Sequence, residues 1–141
     1  VKKFESIADD IFIAGANAKP ALEMGFASNP KVTLPLGDVA ATDLTEENLL
    51  ILKDKVSKAE FIVWNGPLGL VEKEPFNKGS EAIAKAVTES RAYSIVGGGD
   101  MVAFIRHMGL EKNFSYVSTG GGAMLDYLAE GTLPGIEALK K

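Results

Sequence analysis

One stretch, residues 93–105, constrains the fold more than any other part of the sequence. Its first four residues, Tyr-Ser-Ile-Val, have the composition of a buried strand, and three consecutive glycines and Asp100 follow them before an apolar pattern with helical spacing. Consecutive glycines permit a tight turn and leave backbone N–H groups at a helix start, where an anion such as phosphate is favoured. Asp100 could hold a Mg²⁺ that bridges phosphates, or it could simply cap the helix. The stretch therefore predicts a strand, a turn and a helix. It leaves open whether the turn binds a Mg-nucleotide or only connects the two elements.

Two further glycine-rich turns follow predicted strands. An apolar strand at 61–64 precedes Asn-Gly-Pro-Leu-Gly at 65–69, and another at 114–117 precedes Ser-Thr-Gly-Gly-Gly at 118–122. In an open parallel sheet, such turns share the carboxyl edge, which is where ligands bind. The repetition favours a phosphate-binding crevice over turn chemistry alone, although neither the G-x-x-x-x-G-K-[ST] nor the G-x-G-x-x-G pattern is present.

The rest of the chain alternates short strands with helices. Asp43 is expected to cap a helix at 44–57, because Glu46 follows it at capping-box spacing. The other predicted elements are strands at 11–13 and 32–34 and helices at 20–24, from Ser80 onward, at 100–108, at 123–128 and after Leu133. The alternation predicts one α/β domain over residues 1–141, a Rossmann-like three-layer α/β/α arrangement with a mostly parallel sheet.

Composition limits the classes of function. The 141 residues, 46% of them apolar, suit a single domain, and the net charge of −4 argues against a general nucleic-acid-binding surface. The absence of cysteine and the single histidine exclude disulfides, thiolate metal sites and paired-histidine metal motifs. No apolar run of about 18 residues and no signal-peptide pattern is found. We therefore expect a cytoplasmic protein without membrane or nucleic-acid partners.

Three motifs occur in the order and at the spacing typical of one enzyme family. They are V-W-N-G-P-L-G-L-V-E at 63–72, I-V-G-G-G-D at 95–100 and V-S-T-G-G-G-A at 117–123, followed by L-P-G-I-E-A-L at 133–139. Through them the sequence closely resembles phosphoglycerate kinase over residues 43–141, and more loosely over residues 1–36. The resemblance implies part of the C-terminal, nucleotide-binding domain of that enzyme.

The resemblance implies a role for each matched position. Glu72 would accept hydrogen bonds from the ribose hydroxyls, Asn65 would contact the nucleotide phosphates, and Asp100 would hold the Mg²⁺ of Mg-ATP or Mg-ADP. The glycines that would face the transferred phosphoryl group, and so act as catalytic residues, are Gly120, Gly121 and Gly122. The other positions implied to form the nucleotide site are Gly15, Ala41, Gly66, Pro67, Leu68, Leu70, Val71, Gly98, Gly99 and Met101.

The sequence also departs from the family pattern. Met101 stands where the family usually has a hydroxyl residue, and two alanines replace glycines in the first turn, around Gly15. The segment between that turn and residues 34–36 is shorter than usual, and so is the loop at 37–41. The resemblance also implies a lysine-bearing G-G-A-K segment and an N-terminal domain with a basic pocket for the phosphoglycerate, and neither is found among these 141 residues. These differences put the activity of this chain in question.

The resemblance implies a phosphotransferase with a carboxyl-group acceptor, which moves phosphate reversibly between 1,3-bisphosphoglycerate and ADP in glycolysis. Its 3-phosphoglycerate or 1,3-bisphosphoglycerate would bind through the missing N-terminal domain. We expect the chain alone to be inactive, because transfer requires two domains to close on the substrates. The alternative is a non-catalytic, degenerate relative that serves as a nucleotide-binding or interaction module. An incomplete sheet exposes an edge strand, which favours association of the chain with another copy of itself or with the missing half of the domain.

Several residues keep an alternative role. Glu72 lies in a charged patch that, without the surrounding motif, would be a solvated loop. Trp64 is expected in the core rather than as a platform for base stacking. Lys19 lies near the first glycine turn and could replace a phosphate-binding lysine, but an exposed lysine is favoured.

Overall fold

Short parallel strands alternate with helices along the chain. The computed structural model describes residues 1–39 and 41–140, so Ala40, in the expected loop at 37–41, and the terminal Lys141 lie outside the described residues. The strands are β1 (Ile11–Phe12), β2 (Val32–Thr33), β3 (Phe61–Asn65), β4 (Tyr93–Gly97) and β5 (Tyr116–Ser118). The α-helices are α1 (Ala18–Glu23), α2 (Glu46–Lys58), α3 (Lys78–Glu89), α4 (Gly99–His107), α5 (Gly121–Glu130) and α6 (Pro134–Leu139). Single 3₁₀ turns lie at Lys2–Phe4, Gly15–Asn17, Phe26–Ser28 and Glu111–Asn113.

All strand pairs among the described residues are parallel. β1 pairs with β2, and β3, β4 and β5 form a separate three-stranded sheet with β4 at its centre. This confirms the predicted α/β fold with parallel strands and helices around them. The strands nevertheless form two sheets where the sequence suggested one, because β1 and β2 have only two residues each and pair only with each other.

The main hydrophobic core packs against the three-stranded sheet. Trp64 and Val96 are neighbours in the β3–β4 register, and both are buried. The helical side chains buried in the same cluster are Leu52 and Val56 of α2, Ile83, Ala84 and Val87 of α3, and Met101 and Ile105 of α4. Trp64 is therefore a core residue, as expected. A smaller cluster of Ile13, Ala21, Phe26 and Val32 lies behind β1 and β2.

The predicted N-cap of α2 is wrong. The helix begins at Glu46, and Thr45 caps it by accepting the Asn48 N–H on its hydroxyl at 3.3 Å. The Asp43 carboxylate instead accepts the N–H groups of Leu44 and Gly79. Capping-box spacing could not reveal this, because Gly79 lies 36 residues further along the chain.

The strand predicted at 114–117 is shifted toward its C-terminal end. Two serine hydroxyls take the place of backbone pairing at its start: Ser94 N–H donates to Ser115 Oγ at 3.0 Å, and Ser115 N–H to Ser94 Oγ at 3.3 Å. The β4–β5 ladder therefore begins only at Tyr116. No helix among the described residues is long and apolar enough to cross a bilayer.

Candidate functional site

The three glycine turns meet at the carboxyl edge of the three-stranded sheet. Asn65, Gly97 and Ser118 are the last residues of their strands and stand in one row. The Gly66 N–H donates to the Gly97 carbonyl at 3.1 Å and joins the first two turns. A Cβ added to Gly121 would lie 2.5 Å from Asn65 Oδ1 and 3.0 Å from the Cα of Gly98. Residues from all three turns thus lie in contact.

Two helices begin at this edge. α4 starts at Gly99 after Gly98, and α5 starts at Gly121 after Gly120. In α4, the first helical backbone hydrogen bond is donated by the Val102 N–H to the Gly98 carbonyl at 2.9 Å. In α5, it is donated by the Met124 N–H to the Gly120 carbonyl at 2.7 Å. The N–H groups that precede them have no carbonyl partner within their own helix. The positive ends of two helix dipoles therefore face one region, which favours an anion there.

The glycines at this edge are of two kinds. Gly98 has φ +98°, a backbone conformation that residues with a side chain rarely adopt. Gly121 has no room for a Cβ atom. Gly99 and Gly122, by contrast, have nothing within 4 Å of an added Cβ, and both are exposed. Backbone conformation therefore explains Gly98, and packing explains Gly121. Packing leaves the backbone at Gly99 and Gly122 open to a molecule approaching from outside.

Asp100 is exposed in the first turn of α4, two residues after Gly98. Among residues 1–39 and 41–140, no cluster of three or more histidine, cysteine, aspartate or glutamate side chains could hold a metal ion. A metal at this edge would therefore have at most two such side chains from the described residues and would need ligand oxygens as well. Mg²⁺ fits this arrangement, because it is commonly held by one or two carboxylates and the phosphates of a nucleotide.

Two of the residues implied to bind nucleotide have their side chains buried in the core. Met101 is fully buried, and Leu68 is 8% exposed in the same cluster. The Leu68 N–H also donates to the buried Ser80 hydroxyl at 3.0 Å. At Met101 only the backbone N–H, in the first turn of α4, remains for a ligand.

The first glycine turn reaches the second one. Gly15 has φ +60°, and a Cβ on it would lie 3.0 Å from the Pro67 carbonyl oxygen. A small cleft at this contact is lined by Gly15, Ala41 and Leu68 among others. Three positions that are far apart in sequence thus surround one cleft. Asp43 also borders this cleft, although its sequence pattern indicated only a helix cap.

The loop after β3 carries Leu70, Val71 and Glu72. Leu70 N–H donates to the Thr42 carbonyl at 3.1 Å, which holds the start of the loop against the segment before α2. Leu70 and Glu72 are exposed, and Val71 is half-buried. Their side chains are therefore accessible to a ligand that enters from the carboxyl edge.

An ion-pair cluster anchors the N-terminus to α5. Lys3 Nζ lies 3.1 Å from Asp126 Oδ1 and 2.6 Å from Glu130 Oε1. The hydrogen bond to Glu130 and, to a smaller extent, the one to Asp126 raise the pKa of Lys3 above its ordinary value. The N-terminal 3₁₀ turn is thus tied to the helix whose first residues form the third glycine turn.

The chain matches one family in sequence and in structure. The family model described as phosphoglycerate kinase matches residues 7–131. Phosphoglycerate kinase from Mycoplasmoides gallisepticum is 46% identical over 103 residues, which are 73% of this chain and 25% of that protein. The enzyme from Solibacter usitatus is 46% identical over 109 residues, 77% of this chain and 28% of that protein. This chain thus spans about a quarter of these curated relatives.

Solved structures give the same result. Phosphoglycerate kinase from Coxiella burnetii aligns with a TM-score of 0.82 and 27% identity, over 99% of this chain and 48% of that one. The structure from Pyrococcus horikoshii aligns with a TM-score of 0.78 over 98% of this chain and 47% of that one, and at 23% identity it speaks for the fold alone. This chain therefore spans about half the length of these solved chains.

Proposed function

The chain belongs to the phosphoglycerate kinase family, and we propose on that premise that it binds Mg-ATP or Mg-ADP at the carboxyl edge of its three-stranded sheet. One observation carries the proposal: the contact of Asn65, Gly98 and Gly121 at the point where two helices begin. Such an edge gathers backbone N–H groups around one volume, and phosphate is the ligand that this arrangement suits best.

The phosphates would bind to the first-turn N–H groups of α4 and α5. Gly98 and Gly99 precede and open α4, and the open backbone at Gly99 and Gly122 leaves phosphate oxygens room to approach. Asn65 would add a side-chain amide. Asp100 would hold the Mg²⁺, and when bound, this ion would neutralise part of the phosphate charge.

The nucleoside would lie toward the second turn and the loop after it. Glu72 is proposed to accept the ribose hydroxyls, and Leu70 and Val71 offer accessible apolar surface beside it. Gly66 and Pro67 supply backbone at the turn. The cleft between Gly15, Ala41 and Leu68 borders the second turn and would add backbone contacts at that end of the site. Leu68 and Met101 would contribute backbone atoms alone, because their side chains are in the core.

In a complete enzyme we propose reversible phosphoryl transfer between 1,3-bisphosphoglycerate and ADP, as a step of glycolysis in the cytoplasm. Gly120, Gly121 and Gly122 would present backbone N–H groups to the moving phosphoryl group, whose charge fixed dipoles can stabilise. The phosphoglycerate would be held by residues outside these 141. The chain by itself is therefore expected to bind nucleotide without turning it over, because transfer needs both substrates aligned and water excluded.

A calorimetric titration with Mg-ADP tests the site. Asp100→Asn should weaken binding of Mg-ADP yet leave binding of ADP in EDTA unchanged, because only the metal contact is lost. Glu72→Ala should weaken ADP but not Mg-pyrophosphate, which has no ribose. Mg-ADP binding as tight in both variants as in the unmodified chain would refute the site. Phosphotransferase assay of the full-length gene product then separates an enzyme from a non-catalytic binding module.

Self-association remains a separate prediction. Phe61 and Tyr93 stack with ring centroids 5.6 Å apart at the start of β3 and β4, and both are more than half exposed. The two rings leave apolar surface exposed beside each other, and contact with a second copy of the chain would bury it. Light scattering over a range of protein concentrations measures it, and a constant monomer mass would contradict it.

A further inference from the structure

Asp43 links two distant segments of the chain. Its Oδ1 accepts the Leu44 N–H at 2.8 Å, and its Oδ2 accepts the Gly79 N–H at 2.9 Å. Gly79 lies in the first turn of α3, whose own N-cap, Asn77, makes no side-chain capping bond. Asp43 therefore caps α3 from a remote position, and a carboxylate at a helix N-terminus is stabilised by the helix dipole.

Two glycines form a close-fitting cradle around this carboxylate. A Cβ on Gly69 would lie 2.7 Å from Asp43 Oδ1 and 2.5 Å from the Phe76 carbonyl oxygen. A Cβ on Gly79 would overlap the same Asp43 oxygen. Glycine is needed at both positions for the carboxylate to reach the backbone. The contact thus depends on the carboxylate of Asp43 and on the absence of a Cβ atom at Gly69 and Gly79.

The cradle closes the loop at 69–79. Its start is fixed where Gly69 packs on Asp43 and where the Leu70 N–H donates to Thr42 O at 3.1 Å, and its end is fixed by the Gly79 hydrogen bond. Between these points, Lys73 N–H donates to Leu70 O at 3.1 Å and Phe76 N–H to Lys73 O at 2.9 Å. The loop is therefore a series of turns whose two ends are held at one side chain.

We propose that Asp43 is a positioning residue, which holds this loop so that Leu70, Val71 and Glu72 face the nucleoside. The inference rests on the proposed nucleotide function and states how the fold positions the residues of that site that contact the nucleoside. Asp43 need not touch the nucleotide, because its oxygens already accept backbone N–H groups. Its effect should be confined to the nucleoside, since the phosphate-binding turns at Gly98 and Gly121 are held by contacts of their own.

Binding of two ligands, Mg-ADP and Mg-pyrophosphate, tests this role. Asp43→Ala should weaken Mg-ADP by about tenfold, the change that corresponds to losing one charge-assisted hydrogen bond, here the bond to Gly79 that holds the end of the loop. It should leave Mg-pyrophosphate unchanged. Asp43→Asn should weaken Mg-ADP less, because one amide oxygen still accepts one of the two N–H groups. Asp54→Ala, which removes an exposed acid of α2 paired with Lys58, is the matched control and should change neither affinity.

Equal losses for both ligands in Asp43→Ala would overturn the inference, because they would mean general destabilisation of the fold. Unchanged Mg-ADP binding would overturn it as well. If the unmodified chain binds neither ligand, the proposed function fails, and the nucleotide role of Asp43 fails with it. Amide hydrogen exchange tests whether Asp43 holds the loop independently of any ligand. Asp43→Ala should speed exchange at Leu70, Phe76 and Gly79 and not in β4. Unchanged exchange there would refute Asp43 as the residue that holds the loop.

Discussion

The two sheets differ in the amount of core behind them. The three-stranded sheet is backed by a large cluster that includes side chains of three helices, whereas the β1–β2 pair is backed by four buried residues. Its strands are also only two residues long. Local stability follows buried apolar contacts, so the unit formed by residues 1–36 should open at a lower free energy than the sheet that carries the glycine turns. The site is thus built on the better-packed part of the molecule.

A pair of isoleucine truncations sharpens this comparison most. Ile105→Ala, in the large cluster, should lower the free energy of unfolding by about 2–5 kcal/mol, because its fully buried side chain leaves a cavity. Ile13→Ala, in the small cluster, should cost less, because few neighbours surround it. Urea unfolding followed by circular dichroism measures both. An equal or larger loss for Ile13→Ala would contradict the difference between the two regions.

The glycines of the third turn provide the next largest effect. Gly121→Ala should cost about 1–3 kcal/mol and weaken Mg-ADP, because its Cβ would press on Asn65 and on the Gly98 backbone. Gly122→Ala is the matched control: nothing lies near its Cβ, and alanine is the better helix former by about 1 kcal/mol. Its unfolding free energy should be unchanged or raised. Thermal unfolding of both variants measures the two changes in stability. A destabilised Gly122→Ala would show that the backbone there is already crowded.

Lys31 tests what holds the N-terminal unit. Its ammonium group donates to the carbonyls of Glu5 at 2.8 Å and Ala8 at 2.9 Å. Lys31→Met keeps the apolar stem and removes these hydrogen bonds, at an expected cost of about 1–2 kcal/mol. Hydrogen exchange should rise in residues 1–13 and stay unchanged in β4. Faster exchange in β4 as well would mean that the two regions unfold as one unit.

The smallest expected effect is a pH dependence on the surface. Hydrogen bonding to Arg106, at 2.8 Å, lowers the pKa of Glu111 below its ordinary value. A lowered pKa means that the pair stabilises the fold above the unfolded-state pKa, near 4.5, and that this contribution is lost as the pH falls through the folded-state value. Arg106→Gln should therefore flatten the dependence of the midpoint of thermal unfolding on pH below 5. An unchanged slope would show that the pair contributes nothing, as is common for exposed ion pairs.

Much of the fold could be predicted from local pattern. The apolar run at 61–64, the helical spacing after Asp100 and the glycine turns each indicate their element within a few residues, because periodicity and turn chemistry act over short distances. The order of the motifs also indicated the family, which the comparisons confirm. The boundaries were less accurate where side chains replaced backbone bonds, as Ser94 and Ser115 do before β5.

The sequence alone determined the class of fold, the family and the positions of the turns, because those depend on residue type and on spacing between near neighbours. Tertiary structure decided that Asp43 caps α3 rather than α2, that Met101 is a core side chain, and that Gly121 lies against Asn65. Each of these facts is a contact between segments distant in sequence or the burial that such contacts produce. No local pattern encodes them, because they arise only when the strands align and the helices pack.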